Sequence, residues 1–126
     1  MRELNEVSGA IVDGAIQVHS SLGPGLLESA YQTCLAYELR ERGLTVRNQV
    51  ALPIVYKTIE MPVGYRVDLI VEESVIVEVK TVASLLPIHE AQLLTYLRLS
   101  GRRLGLLLNF HVPRMRDGIR RLVNGL

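Results

Sequence analysis

The chain has little of several features that mark particular classes of protein. Its one cysteine, Cys34, excludes an internal disulfide and any zinc or iron–sulfur site built from several cysteines. No apolar run approaches the ~20 residues that span a bilayer. The N-terminal segment MRELNEVSGA lacks the apolar core of a secretory signal. We therefore expect a cytoplasmic protein that has no membrane partner.

Arginine greatly outnumbers lysine among the basic residues, and many of the arginines lie near the C-terminus. The net charge of +1 says little, but only two of the fourteen basic residues are lysines. Seven arginines lie within residues 98–126 against one acid, Asp117: they are Arg98, Arg102, Arg103, Arg114, Arg116, Arg120 and Arg121. Arginine forms forked contacts with phosphate. The segment is therefore either a solvated basic surface or a rim that faces phosphate groups.

The order of hydrophobic patterns predicts one α/β domain over residues 1–126, since 126 residues with 48% hydrophobic content can bury a modest core. Helical spacing of apolar residues predicts helices over about 5–22, 26–42 and 87–100. Alternating patterns and one continuous apolar run predict strands near 45–56, 64–71, 75–82 and 104–110. The tail 114–124 fits a strand or a frayed helix, and we favour the strand. Together these elements predict a small mixed β-sheet flanked by helices.

The second and third predicted strands form a hairpin whose register sets two carboxylates against each other. A three-residue loop, 72–74, pairs Val71 with Val75, whereas a two-residue loop would mismatch the faces of both strands. The favoured register places Asp68 directly opposite Glu78. Alternation along the second strand then predicts two faces, one with Val67, Leu69 and Val71 and the other with Arg66, Asp68 and Ile70.

The face that carries this acidic pair is not generally polar. Like charges directly opposite each other, with Cβ atoms roughly 4.5–5.5 Å apart, destabilise a sheet. Lys80 on the same face is one compensating group. A divalent cation is another, because two carboxylates and a backbone carbonyl suit Mg²⁺. The simpler interpretation is a solvated hairpin face, which the neighbouring Ile70 and Ile76 weaken.

Two helices carry polar residues that point toward the same region. Glu28 and Tyr31 share one side of the second helix, where Glu28 either stabilises the helix N-terminus or belongs to a site, and Tyr31 is more commonly a core residue. Gln92 and Tyr96 are four residues apart on an otherwise apolar face of the third helix. An amide there needs a partner, although a partly exposed Gln beside a core Tyr is the alternative. The three histidines show no metal-ligand spacing, and we predict no zinc site.

Three ordered motifs resemble those of the PD-(D/E)XK nuclease superfamily. Asp68, followed after nine residues by Glu-Val-Lys at 78–80, has the D-x₉-E-x-K form, and Gln92 with Tyr96 is similar to the Q-x₃-Y helix motif of RecB-like members. The segment GLLESAY at 25–31 is similar to the signature of the small bacterial GxxExxY family of that superfamily. The resemblance runs from about residue 5 to the C-terminus.

The resemblance implies a restriction-endonuclease-like core with a site for Mg²⁺ or Mn²⁺. Its metal ligands would be Asp68, Glu78, the backbone carbonyl of Val79, and Glu28. Lys80 would position or activate the attacking water and neutralise charge at the phosphate. The catalytic residues implied are thus the three acids together with Lys80.

The resemblance also implies a substrate. We expect a metal-dependent nuclease that hydrolyses phosphodiester bonds of nucleic acid, with DNA favoured over RNA. Substrate-binding residues are expected to be Gln92, Tyr96, Tyr31 and Arg66. The alternative is a catalytically silent nucleic-acid-binding or accessory protein that keeps the nuclease fold. A homodimer is compatible with either function.

Overall fold

Helices cover both faces of a mixed β-sheet in the computed structural model, which describes residues 2–126 apart from the side chains of residues 62 and 63. The elements are α1 (Leu4–Leu22), α2 (Glu28–Glu41), β1 (Val46–Tyr56), β2 (Ile59–Val71), β3 (Val75–Lys80), α3 (Pro87–Ser100), β4 (Leu104–Asn109) and β5 (Ile119–Val123), with a 3₁₀ turn, Met115–Gly118, before β5. The strands lie in the order β1-β2-β3-β4-β5. Strands β3 and β4 are parallel, and the other neighbours are antiparallel. The predicted α/β class is confirmed.

Two buried hydrophobic clusters hold the helices on opposite faces of the sheet. Helices α1 and α2 cover one face, in a cluster that includes Ile11, Leu35 and Leu106. Helix α3 covers the other face, in a cluster that includes Leu93 and Leu107. Strand β4 is buried along its whole length, as its apolar run predicts. Within the described residues, no helix is both long and apolar enough to cross a membrane.

The hairpin of β1 and β2 is longer than the sequence predicts. Strand β2 begins at Ile59, five residues before the predicted start, and its first residues pair with β1 from Tyr56 back to Ile54. In the described part of the chain β3 pairs with β2 over Leu69–Val71 alone, so the outer half of the hairpin is a two-stranded ribbon.

Side-chain alternation changes along β2 at Asp68. Val67 belongs to the cluster under α3, whereas Leu69 belongs to the cluster under α1 and α2. The prediction that these two residues share a face is therefore wrong. The pairing of β1 with β2 omits Asp68 and Gln49, and Gln49 has a positive φ of 48°. A local irregularity of this kind re-aims the side chains on either side of it.

The hairpin ribbon requires glycine at one position. A Cβ atom at Gly64 would lie 2.2 Å from the carbonyl oxygen of Leu52 on the facing strand. We expect Gly64→Ala to lower the free energy of unfolding by roughly 1–3 kcal/mol, because backbone must move to admit the methyl group. Thermal or urea unfolding measures the change.

The matched control is Gly9→Ala, at a helical position of α1 where no heavy atom lies within 4 Å of the added Cβ. Alanine there should raise stability by up to about 1 kcal/mol, because glycine is a poor helix former. Equal effects of the two substitutions would contradict the close approach at Gly64.

Candidate active site

The acidic pair lies where the pairing of β2 with β3 ends. The loop gives the predicted register, but backbone pairing stops at Leu69 and Val77 and does not include Asp68 with Glu78. Beyond that point, side chains form the hydrogen bonds between the two strands. The Asp68 N–H donates to Oε2 of Glu78 at 3.1 Å, and the Val79 N–H donates to Oδ2 of Asp68 at 2.8 Å. Each carboxylate therefore binds the backbone of the opposite strand.

A backbone carbonyl also points toward this gap. The Phe110 N–H donates to the carbonyl oxygen of Lys80, so the backbone groups of Lys80 face β4. Backbone groups of successive strand residues point to opposite sides. Those of Val79 therefore face β2, where its N–H binds Asp68. The carbonyl oxygen of Val79 points to the same side, which is the position that the metal-ligand prediction requires.

Two glutamines that the motifs do not contain hold Asp68 in place. Nε2 of Gln49 donates to Oδ1 of Asp68 at 3.3 Å and to Oε1 of Gln32 at 3.1 Å. Nε2 of Gln32 donates to the carbonyl oxygen of Asp68 at 3.3 Å. These bonds join α2 to β1 and β2. Sequence reasoning missed both residues, because the hydrophobic pattern does not reveal the positive φ of Gln49.

Glu78 is almost fully buried, with 3% of its surface exposed. Burial is the main cause that raises its pKa from 4.5 to about 9, and the charge of Asp68 raises it further. Lys80 lowers this pKa by a smaller amount. In the metal-free protein at neutral pH, Glu78 therefore keeps its proton.

Glu28 is the first residue of α2 and is only partly exposed. Burial raises its pKa, the charge of Asp68 raises it further, and Lys80 and His89 lower it. Glu28 thus lies within electrostatic reach of the acidic pair. Among the described residues, however, no three Asp, Glu, His or Cys side chains are grouped closely enough to hold a metal ion. The structure does not gather Glu28 with Asp68 and Glu78 into a ligand set.

A cavity of about 450 Å³ opens beside the acidic pair, between α3 and the outer half of the hairpin. Lys80, Gln92 and Tyr96 line it together with Ile54, Tyr65, Ile88, His89, Ala91, Thr95 and Leu99. Burial, followed by the charge of Glu78, raises the pKa of Tyr96 to about 12. Tyr96 therefore lines the cavity within electrostatic reach of the acidic pair and keeps its hydroxyl proton at neutral pH.

His89 and Tyr65 line this cavity, and sequence reasoning did not select either residue. Nδ1 of His89 accepts the Leu86 N–H at 2.9 Å, which fixes the ring at the start of α3. A signal was present for His89, because it precedes Gln92 by three residues and so shares its helix face. Tyr65 lies within the predicted second strand, but its face could not be read from the sequence, because side-chain alternation changes at Asp68.

The prediction that Tyr31 binds substrate is wrong. Its side chain is fully buried and stacks on Phe110, with ring centroids 4.6 Å apart. Its hydroxyl donates to the carbonyl oxygen of Gly23 at 2.5 Å and accepts the Leu26 N–H at 3.0 Å. Tyr31 therefore fixes the turn that leads into Glu28, which explains its spacing from that residue.

Arg66 is exposed and does not line the cavity. Its neighbour Tyr65 does, so strand alternation directs Arg66 to the opposite face of the hairpin. The structure therefore gives no contact between Arg66 and the cavity.

The C-terminal arginines are spread over both ends of the sheet and, at Arg120 and Arg121, along β5. Arg102 precedes β4 and contacts Glu73, at the end opposite Lys80 and about 16 Å from it along the strand. Arg114 and Arg116 follow the carboxyl end of β4, which is the end of the sheet that carries Lys80, and both are exposed in a groove against α1. A single phosphate-facing rim of all seven arginines is therefore excluded.

The acidic pair fits a hard divalent cation. Both side chains offer oxygen atoms, which Mg²⁺ and Mn²⁺ prefer. A cation would replace the proton that the buried Glu78 otherwise keeps, because ligands must be deprotonated to bind metal. Mg²⁺ is commonly held by one or two carboxylates and retains several waters. Asp68 and Glu78, with the Val79 carbonyl, would therefore suffice without a third acid.

A family model of the PD-(D/E)XK nuclease superfamily matches residues 5–122. The chain belongs to this superfamily. Its mixed sheet with helices on both faces is a restriction-endonuclease-like fold. Members are generally hydrolytic nucleases that use divalent metals. Comparisons with curated proteins and with solved structures gave no match.

The raised pKa of Glu78 sets a pH dependence of stability in the metal-free protein. Folded Glu78 keeps its proton up to about pH 9, whereas the unfolded chain releases it above pH 4.5. The unfolded state then binds fewer protons, so stability falls as pH rises through this window. Glu78→Gln should raise the melting temperature at pH 8 more than at pH 5 and flatten the decline.

Glu60→Gln is the control, since Glu60 is an exposed glutamate on β2. Melts of both variants in a chelator, from pH 5 to pH 9, make the comparison. A Glu78→Gln protein that melts lower than the parent at pH 8 would show that the buried carboxyl is not strained by burial.

Proposed function

We propose that this chain is a metal-dependent nuclease that hydrolyses phosphodiester bonds of nucleic acid, with DNA as the expected substrate. The observation that carries the proposal is the position of the acidic pair. Asp68 and Glu78 meet in the gap between β2 and β3, and Lys80 follows on the same strand and lines the adjoining cavity. Membership of a nuclease superfamily agrees with this chemistry.

A divalent cation, when bound, would polarise a phosphoryl oxygen and lower the pKa of a water molecule. Asp68 and Glu78 would hold it, together with the carbonyl oxygen of Val79. The chain orients Asp68 through the Val79 N–H and Nε2 of Gln49. Because Glu78 is buried, water is excluded from one side of the site, and electrostatic interactions there are stronger than in bulk solvent.

Lys80 and Tyr96 would act on the phosphate. The ammonium of Lys80 would stabilise the negative charge that develops on the phosphoryl oxygens. The Tyr96 hydroxyl keeps its proton far above neutral pH, so it would donate a hydrogen bond to a phosphate oxygen. Gln92 lines the same cavity and would orient the strand through its amide. Glu28 would hold a water molecule near Lys80 and Asp68, not the cation itself.

We also propose that the chain belongs to the bacterial GxxExxY family of this superfamily. The motif has a physical role here. Gly25 has a φ of 102°, which favours glycine, and the Tyr31 hydroxyl binds the turn on both sides of it. The turn thereby sets the start of α2, where Glu28 faces Asp68 and Lys80. Residence in the bacterial cytoplasm, a single domain and a homodimer stay predictions.

Asp68→Asn and Glu78→Gln should each abolish cleavage and the stabilisation of the protein by Mn²⁺, because each removes a charged ligand. Asparagine can still accept the Val79 N–H, so the fold should persist. Lys80→Gln should keep the Mn²⁺ stabilisation but slow cleavage by about 10²–10³-fold, as loss of one group that stabilises transition-state charge does. Lys57→Gln is the matched control, at the only other lysine of the chain.

The measurement pairs thermal melts, with and without Mn²⁺, with cleavage assays on single-stranded DNA, double-stranded DNA and RNA. An Asp68→Asn melt that responds to Mn²⁺ as strongly as the parent would show that the metal binds elsewhere. A parent that responds to Mn²⁺ but cuts none of these substrates would favour the catalytically silent binding protein.

Binding should be chiefly electrostatic and should use the arginines at the Lys80 end of the sheet. Replacing Arg114 and Arg116 with Gln should weaken binding and reduce the salt slope by about two, or about one for each lost phosphate contact. The control replaces Arg102 and Arg103, at the opposite end, with Gln. Fluorescence anisotropy from low to moderate salt gives the slopes. Equal losses in the two double variants would contradict the division of the arginines.

A further inference from the structure

We infer that the cavity between α3 and the hairpin holds one unpaired nucleobase beside the scissile phosphodiester, so that the substrate is single-stranded at the site. The inference rests on the proposed function and specifies its substrate class. Lys80 links the two regions, because it lies near the acidic pair and also lines the cavity. A phosphate at Lys80 therefore places its own nucleotide at the cavity mouth.

The cavity offers an aromatic face on which a base can stack. Tyr65 is 53% exposed, and its ring lies 6.2 Å from that of Tyr96, tilted by 43°. Both tyrosines line the cavity, but Tyr96 is nearly buried whereas Tyr65 keeps about half of its surface accessible. Exposed aromatic rings beside a cationic group are the usual means of binding single-stranded nucleic acid.

The other walls are apolar and carry few polar groups. Ile54 lies on the hairpin side, and Ile88 and Leu99 lie on the α3 side. Gln92 and Thr95 supply an amide and a hydroxyl, which can bind the donors and acceptors on a base edge. Apolar walls with a few polar groups are typical of pockets for flat organic molecules, and 450 Å³ falls within their usual range.

The outer half of the β1–β2 hairpin is placed so that it can form one wall of a base-binding cavity. Its outer half pairs with no third strand in the described part of the chain, yet it brings Ile54 and Tyr65 over α3. The pairing register shifts between Leu52 and Ile54, which re-aims the side chains beyond that point. The close approach at Gly64 keeps the two strands of the ribbon together.

Stacking on Tyr65 distinguishes unpaired from paired substrates. A base inside a duplex is stacked on both faces and exposes only its edge in the grooves. It can reach a ring in a cavity only after it leaves the stack, which requires unpairing and unstacking in an intact duplex and is easiest in a strand that is already single. The cavity therefore selects single strands, frayed ends or unpaired positions.

The test measures binding separately from cleavage. A single-stranded DNA oligonucleotide with one 2-aminopurine is titrated with protein in Ca²⁺, and the same sequence is used as a blunt duplex and as RNA. Quenching of 2-aminopurine reports stacking on an aromatic ring. We expect Tyr65→Leu to lose the quenching and to bind the single strand about tenfold more weakly, whereas Tyr65→Phe keeps both. Tyr37→Leu, at an exposed tyrosine on α2, is the control and should match the parent.

The outcomes separate this inference from the proposed function. Tyr65-dependent quenching by single strands, with weaker binding to the duplex, supports the inference even if no substrate is cut, and then only the nuclease function fails. Equal binding and cleavage of single strand and duplex, with no effect of Tyr65→Leu, overturn the inference while the nuclease function stands. Tyr65-dependent quenching of 2-aminopurine in DNA alone, or in RNA alone, supports the inference and identifies which nucleic acid supplies the base.

Discussion

The exchange of side-chain for backbone hydrogen bonds between β2 and β3 is the constraint on which the site depends. Up to Leu69 and Val77 the two strands form an ordinary antiparallel ladder. Beyond it, Asp68 binds the amide of Val79, and Glu78 binds the amide of Asp68. The two strands stay close but form no backbone ladder here, because the carboxylates occupy the space between them. This gap brings the two carboxyl groups together, and the carbonyl of Val79 faces the same side.

The gap also reconciles burial with charge. A charged carboxylate buried in an apolar strand should destabilise the fold, and the raised pKa of Glu78 reflects this cost. Protonation of Glu78 lowers this cost when no metal is bound, and a bound cation would lower it further. The glutamines at positions 32 and 49 hold Asp68 on the other side. The unfavourable burial of Glu78 therefore lies at the candidate site, in a sheet that two hydrophobic clusters hold on either face.

The sequence predicts the parts of this molecule that follow regular periods. The α/β class, the hairpin register and the buried β4 were all readable from alternation and apolar runs, and the motif pattern indicated the superfamily. Strict alternation failed at Asp68, because the irregularity opposite Gln49 lets Val67 change faces. The role of Tyr31 was also hidden, because a motif residue and a core residue look alike in sequence. The cavity could not be foreseen, since Tyr65 and His89 come together only through tertiary packing.

The parallel pairing of β3 with β4 has a consequence for how the protein folds. Parallel neighbours need a crossover, and here the crossover is α3, which carries Gln92 and Tyr96. The acidic pair comes from a local hairpin, but its neighbours Glu28 in α2 and Tyr96 in α3 are 68 residues apart along the chain. Contacts of such long sequence separation form late, because loop closure must precede them. A chain still emerging from the ribosome therefore carries the two acids before Tyr96 and the α3 side of the cavity, and the candidate site is complete only when α3 has packed on the sheet.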